Sequence, residues 1–183
     1  MGKLFWLFIF YSFLGFLLEV GFTALTHGGK RDRKCLLALP LCPVYGLGVL
    51  LILALPPVIC ENPLLLFLGG MAAATVAEYA VDLFCHRALG VRFWDYSHLP
   101  LNLNGRVCVY FSAAWGLLTL GPVRWLLPVL AHWAGAIPGV LLLPAVLLLA
   151  ADCTFTFFLL RTTGTTDSLR WYDRFRRPVR RHS

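Results

Sequence analysis

Apolar residues run through this chain in blocks of about 20, the length of a bilayer-crossing helix. A soluble domain would instead interleave them with polar positions at a helical or strand period. Five blocks fit, at roughly 4–26, 36–59, 64–86, 107–131 and 139–160. They predict an all-α fold: a polytopic membrane helix bundle of about five transmembrane helices over residues 1–161, followed by a tail over 162–183. The first block, Leu4 to Leu25, is too long for the apolar region of a secretory signal. It carries Glu19 and reaches Thr26-His27-Gly28 without a small-x-small cleavage site, so it reads as an uncleaved span. Pro40 and Pro43 predict an unwound stretch from Leu39 to Gly46, because proline offers no backbone donor and clashes with the preceding turn. Gly121-Pro122 predicts a kink in the fourth span. Gly69/Ala73/Ala77 and Gly70/Ala74 put small residues at four-residue spacing, which lets another helix approach the third span closely.

Charge orients the blocks. Of 183 residues, 59% are hydrophobic and 14% charged, against about 25% charged in an ordinary globular chain. The net charge of +7 comes from basic residues that flank the spans. Lys30, Arg31, Arg33 and Lys34 lie in the first connection, Arg87, Arg92 and Arg106 in the third, and seven arginines in the tail from Arg161 to Arg181. With five spans these regions share one face, which the positive-inside rule makes cytoplasmic. The amino terminus then lies outside, and the chain reads as a multi-pass membrane protein. The same arithmetic explains the basic charge without nucleic acid as a partner. The partner expected of the tail is the bilayer itself, since Arg170 to Arg181 with Trp171, Tyr172 and Phe175 interleaved suits anionic headgroups. The six cysteines show no CxxC or zinc spacing, and only Cys60 faces the oxidising side, so neither a metal nor an internal disulfide is expected.

Four acids stand inside predicted spans: Glu19, Glu78, Asp82 and Asp152. Each costs roughly 2.5–3.5 kcal/mol to insert, so their presence asks for a role. Counted from the cytoplasmic ends at 1.5 Å per residue, Glu19, Glu78 and Asp152 reach a common depth of about 10–12 Å and Asp82 about 6 Å. Glu78 and Asp82 are four apart and share a helix face. These spacings predict a polar, hydrated cavity open to the cytoplasm, with Arg106 beneath the acids. The long third connection supplies Asp95, Asn102, Asn104 and Arg106. Its Phe93, Trp94, Tyr96 and leucines need burial, so it is expected to fold back against the bundle. The candidate substrate-binding set is therefore Glu19, Tyr45, Glu78, Asp82, Asp95, Asn102, Asn104, Arg106 and Asp152. For Asp152 a structural hydrogen bond to a neighbouring helix is an equal alternative. Cys42-Pro-Val-Tyr45-Gly serves either the start of a helix or the site directly. His86 and His98 have no second ligand at metal spacing. No Walker A, GxSxG, HExxH or glycine-rich phosphate fingerprint is present, and no cofactor or catalytic residue is assigned.

Several ordered motifs carry a family likeness: Phe13-Leu-Gly-Phe-Leu-Leu-Glu19, Leu41-Cys-Pro-Val-Tyr-Gly46, and Gly69-Gly-Met followed by Glu78. The longest is Trp94-Asp-Tyr-Ser97 with Pro100-Leu-Asn102-Leu-Asn104-Gly-Arg106, then Ser112 and Trp115-Gly. In these the chain resembles the CmpB-like ABC-transporter type IV family of small bacterial integral membrane proteins, over about residues 4–160. Phe16 departs from the tryptophan of the family pattern, which bears on local packing. The resemblance implies a transport component, permease-like, in the bacterial cell (inner, plasma) membrane, and the polar candidate set suits a small polar or anionic solute. With no nucleotide-binding motif in the chain, ATP-driven transport would need a partner membrane protein or ATPase subunit. Two alternatives stand beside it. One is a membrane-embedded enzyme acting on a lipid or polyprenyl headgroup at the cytoplasmic leaflet, and the other a non-catalytic membrane scaffold.

Overall fold

The computed structural model describes residues 2–25 and 36–169. The basic first connection and the arginine-rich tail, with the headgroup contacts expected of it, lie outside the described residues.

Among the described residues four helical rods are long and apolar enough to cross a membrane: Gly2–Leu25, Pro63–Leu89, Val109–Ala136 and Gly139–Thr163. The first is the single helix α1 (Gly2–Leu25). The second is α4 (Pro63–Phe84), prolonged by a π-turn over Cys85–Leu89. Pro63 sits at its first position, where its missing N–H costs nothing, and the Asn62 side chain accepts from the backbone N–H groups of Leu64 and Leu65. The third joins α5 (Val109–Gly121) to α6 (Leu127–Ala136) through a π-turn at Pro122–Leu126. This is where Gly121-Pro122 is expected to bend the rod, because the proline breaks the regular hydrogen-bond ladder. The fourth, α7 (Leu142–Thr163), stops at Gly164, whose φ of 65° suits a residue without a side chain.

The expected second span takes a different form. Residues 36–42 are not helical, α2 covers only Pro43–Leu53, and the short α3 covers Pro57–Glu61. Eleven residues rise about 16 Å, roughly half of a 30 Å hydrocarbon core. Prolines set both limits, with Pro40 and Pro43 before the helix and Pro56 and Pro57 after it. The unwound stretch is Leu36–Cys42, slightly earlier than the Leu39–Gly46 expected, because Pro43 starts the helix instead of preventing it.

Close approaches fix the bundle. A Cβ on Gly15 of α1 would lie 2.2 Å from the Tyr45 ring of α2, and one on Gly70 of α4 would lie 2.4 Å from Thr119 of α5. Only glycine lets these helices meet, which is the use predicted for the small residues of α4. Apolar clusters then close three regions. Leu7 and Tyr11 of α1 meet Leu130 and Ala134 of α6, while Ile52 meets Leu66 and Ala73. Cys85, Leu89 and Val91 meet Leu160 and Leu169. Leu169, just past α7, is fully buried, so the chain turns back onto the bundle there. Large apolar side chains such as Phe22, Trp125, Leu147 and Phe158 are exposed on the outside, as lipid-facing positions are.

The long third connection folds back with Tyr96 buried, as expected, but Leu101 and Leu103, expected to be buried with it, are exposed because the hairpin turns them outward. It forms a hairpin, β1 (Asn102–Leu103) against β2 (Val107–Cys108). Arg106 N–H donates to Leu103 O across the turn, with φ of 56° at Asn104 and 67° at Gly105. Positive φ at both central turn positions selects Asn-Gly.

Candidate functional site

Two carboxylates end up behind one aromatic wall. Glu78, on α4, is 4% exposed. Its Oε1 accepts from the Tyr96 hydroxyl at 2.9 Å, and its Oε2 from Trp115 Nε1 of α5 at 3.3 Å. Glu19 Oε1 accepts from the Tyr45 hydroxyl at 2.9 Å. The Tyr45 and Trp115 rings meet edge to face at 4.8 Å, which links the two acids. Tyr45 reaches Glu19 because its ring lies over Gly15, one helical turn earlier on α1. Tyr96 comes from the folded-back connection. Its ring stacks on Phe111 at 4.8 Å, and its backbone N–H donates to Gly105 O of the hairpin. Burial, and then the neighbouring Glu78 carboxylate, push the Tyr96 phenol above its ordinary value. It therefore stays protonated and donates.

A groove of about 640 Å³ leads to this cluster. Leu14, Leu18 and Phe22 of α1 and Leu118, Val123 and Leu126 line it, and the residues with polar side-chain atoms in its lining are Tyr11, Tyr45, Glu78, Trp115 and Thr119. The predicted cavity was hydrated and polar-walled; the structure gives an apolar groove whose acid is roofed by Tyr96. The difference arises because Tyr96 is buried by the hairpin directly over Glu78.

One turn further along α4, Asp82 is fully buried. Arg106 Nη1 donates to its Oδ2, and Arg92 Nε lies 3.6 Å from its Oδ1. Arg106 Nη2 meets His86 Nδ1 at 3.2 Å, and the guanidinium lies over the Tyr79 ring at 5.7 Å from its centroid. Arg106 is thus engaged by Asp82, His86 and Tyr79 together, in the planar contact that lysine cannot reproduce.

The other candidates serve the connection or the bundle. Asn102 donates to Leu99 O and accepts from Gly105 N–H, and Asn104 donates to the Tyr79 hydroxyl. Exposed Asp95 accepts from Ser97 N–H at 2.9 Å and faces Arg92 at 3.6 Å. The Ser97 backbone bond, its hydroxyl and then Arg92 hold the Asp95 carboxyl below the usual range. Asp152 stands apart from Glu19 and Glu78. It accepts from the N–H groups of Ala38 and Leu39 in the unwound stretch, and Thr156 beside it accepts from Leu37 N–H. The structure therefore joins Glu19, Tyr45 and Glu78 in one cluster and Asp82 with Arg106 in another. Tyr96, Trp115, Arg92 and Tyr79 complete these clusters without having been selected from the sequence. Buried tyrosine and tryptophan need hydrogen-bond partners, and that rule offered the missed signal. Among the described residues no group of three or more His, Cys, Asp or Glu could hold a metal ion.

A family model described as "Putative ABC-transporter type IV" matches residues 6–157. The chain belongs to that family. The match takes in α1 through most of α7, so both clusters and the hairpin fall within the type IV region. No curated protein matches the chain, and no solved structure does. The family description relates this membrane protein to ABC transporters, and its apolar helices suit a bilayer.

Proposed function

We propose that this type IV family member is a permease-like transport component of the bacterial plasma membrane. Its site is the Glu19–Tyr45–Glu78–Tyr96–Trp115 cluster. The observation that carries the proposal is a buried, hydrogen-bonded carboxylate at the end of an open groove between helices. Ionisable groups retained at membrane depth mark substrate or ion pathways by default. On this reading Leu36–Glu61 completes a fifth crossing as a broken helix, the hairpin end is cytoplasmic and the amino terminus is outside. Unwound backbone at membrane depth is tolerated where protein groups satisfy it, and Asp152 and Thr156 do so here. Energy from ATP would come from a separate ATPase subunit, because the chain has no Walker A motif.

Transport requires the site to be reachable from both sides of the membrane in turn. Ala74 lines the groove one turn from Glu78. An Ala74→Cys variant, with the native cysteines replaced by alanine, should react with an impermeant thiol reagent in right-side-out and in inverted vesicles. Reaction from one side alone would overturn the transport reading. A second reading is favoured by the pairing of each carboxylate with a phenol, Glu19 with Tyr45 and Glu78 with Tyr96. Such pairs are suited to acid–base work, as in a membrane-embedded enzyme acting on a lipid headgroup. Turnover of a polyprenyl phosphate by the purified protein, lost in Tyr96→Phe, would favour the enzyme.

A further inference from the structure

We infer that the groove binds an amphiphilic organic cation, with its apolar body between α1 and α5 and its positive head against Glu78, Tyr45 and Trp115. The inference rests on the site reading above and narrows its solute. Size comes first: about 640 Å³ falls within the roughly 300–1,000 Å³ of sites for compact organic ligands. The walls come next. Leu14, Leu18 and Phe22 on one side and Leu118, Val123 and Leu126 on the other offer only hydrocarbon to the body of a ligand. A small polar solute would leave that surface unmatched, whereas an alkyl or aryl body covers it.

The head of the groove sets the charge. A carboxylate accepts hydrogen bonds and attracts positive charge, and Glu78 is the acid lining the groove. The faces of tyrosine and tryptophan attract cations as well, and Tyr45 and Trp115 flank Glu78 there. Glu19 adds negative charge behind Tyr45, through the hydroxyl it accepts from. Among the described residues that line the groove there is no Lys, Arg or His. Arg106, the cation in the candidate substrate-binding set, is 12% exposed and turned onto Asp82 and His86. Charge complementarity therefore favours a cation over the anion.

The test uses the full chain in phosphatidylcholine nanodiscs, with empty nanodiscs as the blank. Decyltrimethylammonium and decyl sulfate, which share one alkyl chain and differ in charge, are titrated calorimetrically. The cation should saturate one site and the sulfate should not. Glu78→Gln should weaken cation binding roughly tenfold or more, and Leu118→Trp, which fills the groove from an exposed position, should abolish it. Should Glu78→Gln fail to fold, Leu118→Trp decides, with a thermal melt confirming its integrity. Equal or tighter binding of decyl sulfate would overturn the inference. So would the absence of saturable cation binding, or cation binding indifferent to the substitutions. No cation binding with two-sided labelling of the Ala74→Cys variant rejects the substrate class and keeps transport. Cation binding with one-sided labelling does the reverse.

Discussion

Replacing Asp152 separates a ligand-binding acid from one that holds the fold. Its carboxylate serves two backbone donors. Ala38 N–H is shared between Oδ1 at 3.0 Å and Oδ2 at 3.2 Å, and Leu39 N–H donates to Oδ2 at 2.7 Å. Neither donor has a helical partner, because residues 36–42 are unwound. In hydrocarbon no water replaces a lost acceptor. Each orphaned donor costs about 1–3 kcal/mol, so Asp152→Ala should destabilise by roughly 2–6 kcal/mol. Asp152→Asn keeps one acceptor oxygen and should lose about half as much. For a chain of this size about 1 kcal/mol moves Tm by roughly 2–4 °C, so a loss near 3 kcal/mol appears as about 6–12 °C. Thermal unfolding in detergent ranks the three proteins, and hydrogen exchange at Ala38 and Leu39 locates the loss. If Asp152→Ala melts like the parent with unchanged exchange at both amides, the anchoring role is refuted and a ligand-binding role regains its place.

The buried ion cluster gives a second prediction. Arg106→Ala should destabilise by up to about 3–5 kcal/mol, because buried Asp82 is left with Arg92 alone at 3.6 Å, whereas Arg106→Lys should cost less, because the charge stays while the contacts to His86 and Tyr79 go; chemical or thermal melts compare them. Gly105→Ala should loosen the hairpin, since its Cβ would fall 2.7 Å from Asp95 Oδ1 at a φ of 67°, and limited proteolysis between 97 and 106 reads this out. Orientation has its own assay: an impermeant thiol reagent on intact cells should label Cys60 and leave Cys35 untouched, and the opposite pattern would invert the proposed topology.

Sequence alone determined the elements that depend on local composition. Unbroken apolar runs must be helical in lipid, because each backbone donor needs an acceptor within its own segment. Residues 4–26, 64–86, 107–131 and 139–160 thus resemble the helical rods found, to within a few residues. Proline positions foretold the unwound stretch and the break at Pro122, since a missing N–H acts wherever it stands. The aromatic content of the third connection foretold its burial. The pairing of the acids was decided only by the tertiary structure. Glu19, Glu78 and Asp152 lie at similar counts from their helix ends, but depth along a helix says nothing about which neighbour a side chain faces. That choice came from Gly15 admitting the Tyr45 ring, from the Asn104-Gly105 turn setting Tyr96 over Glu78 and Arg106 onto Asp82, and from the unwound chain meeting Asp152. These contacts join residues 18 to 114 positions apart, so no local spacing encodes them.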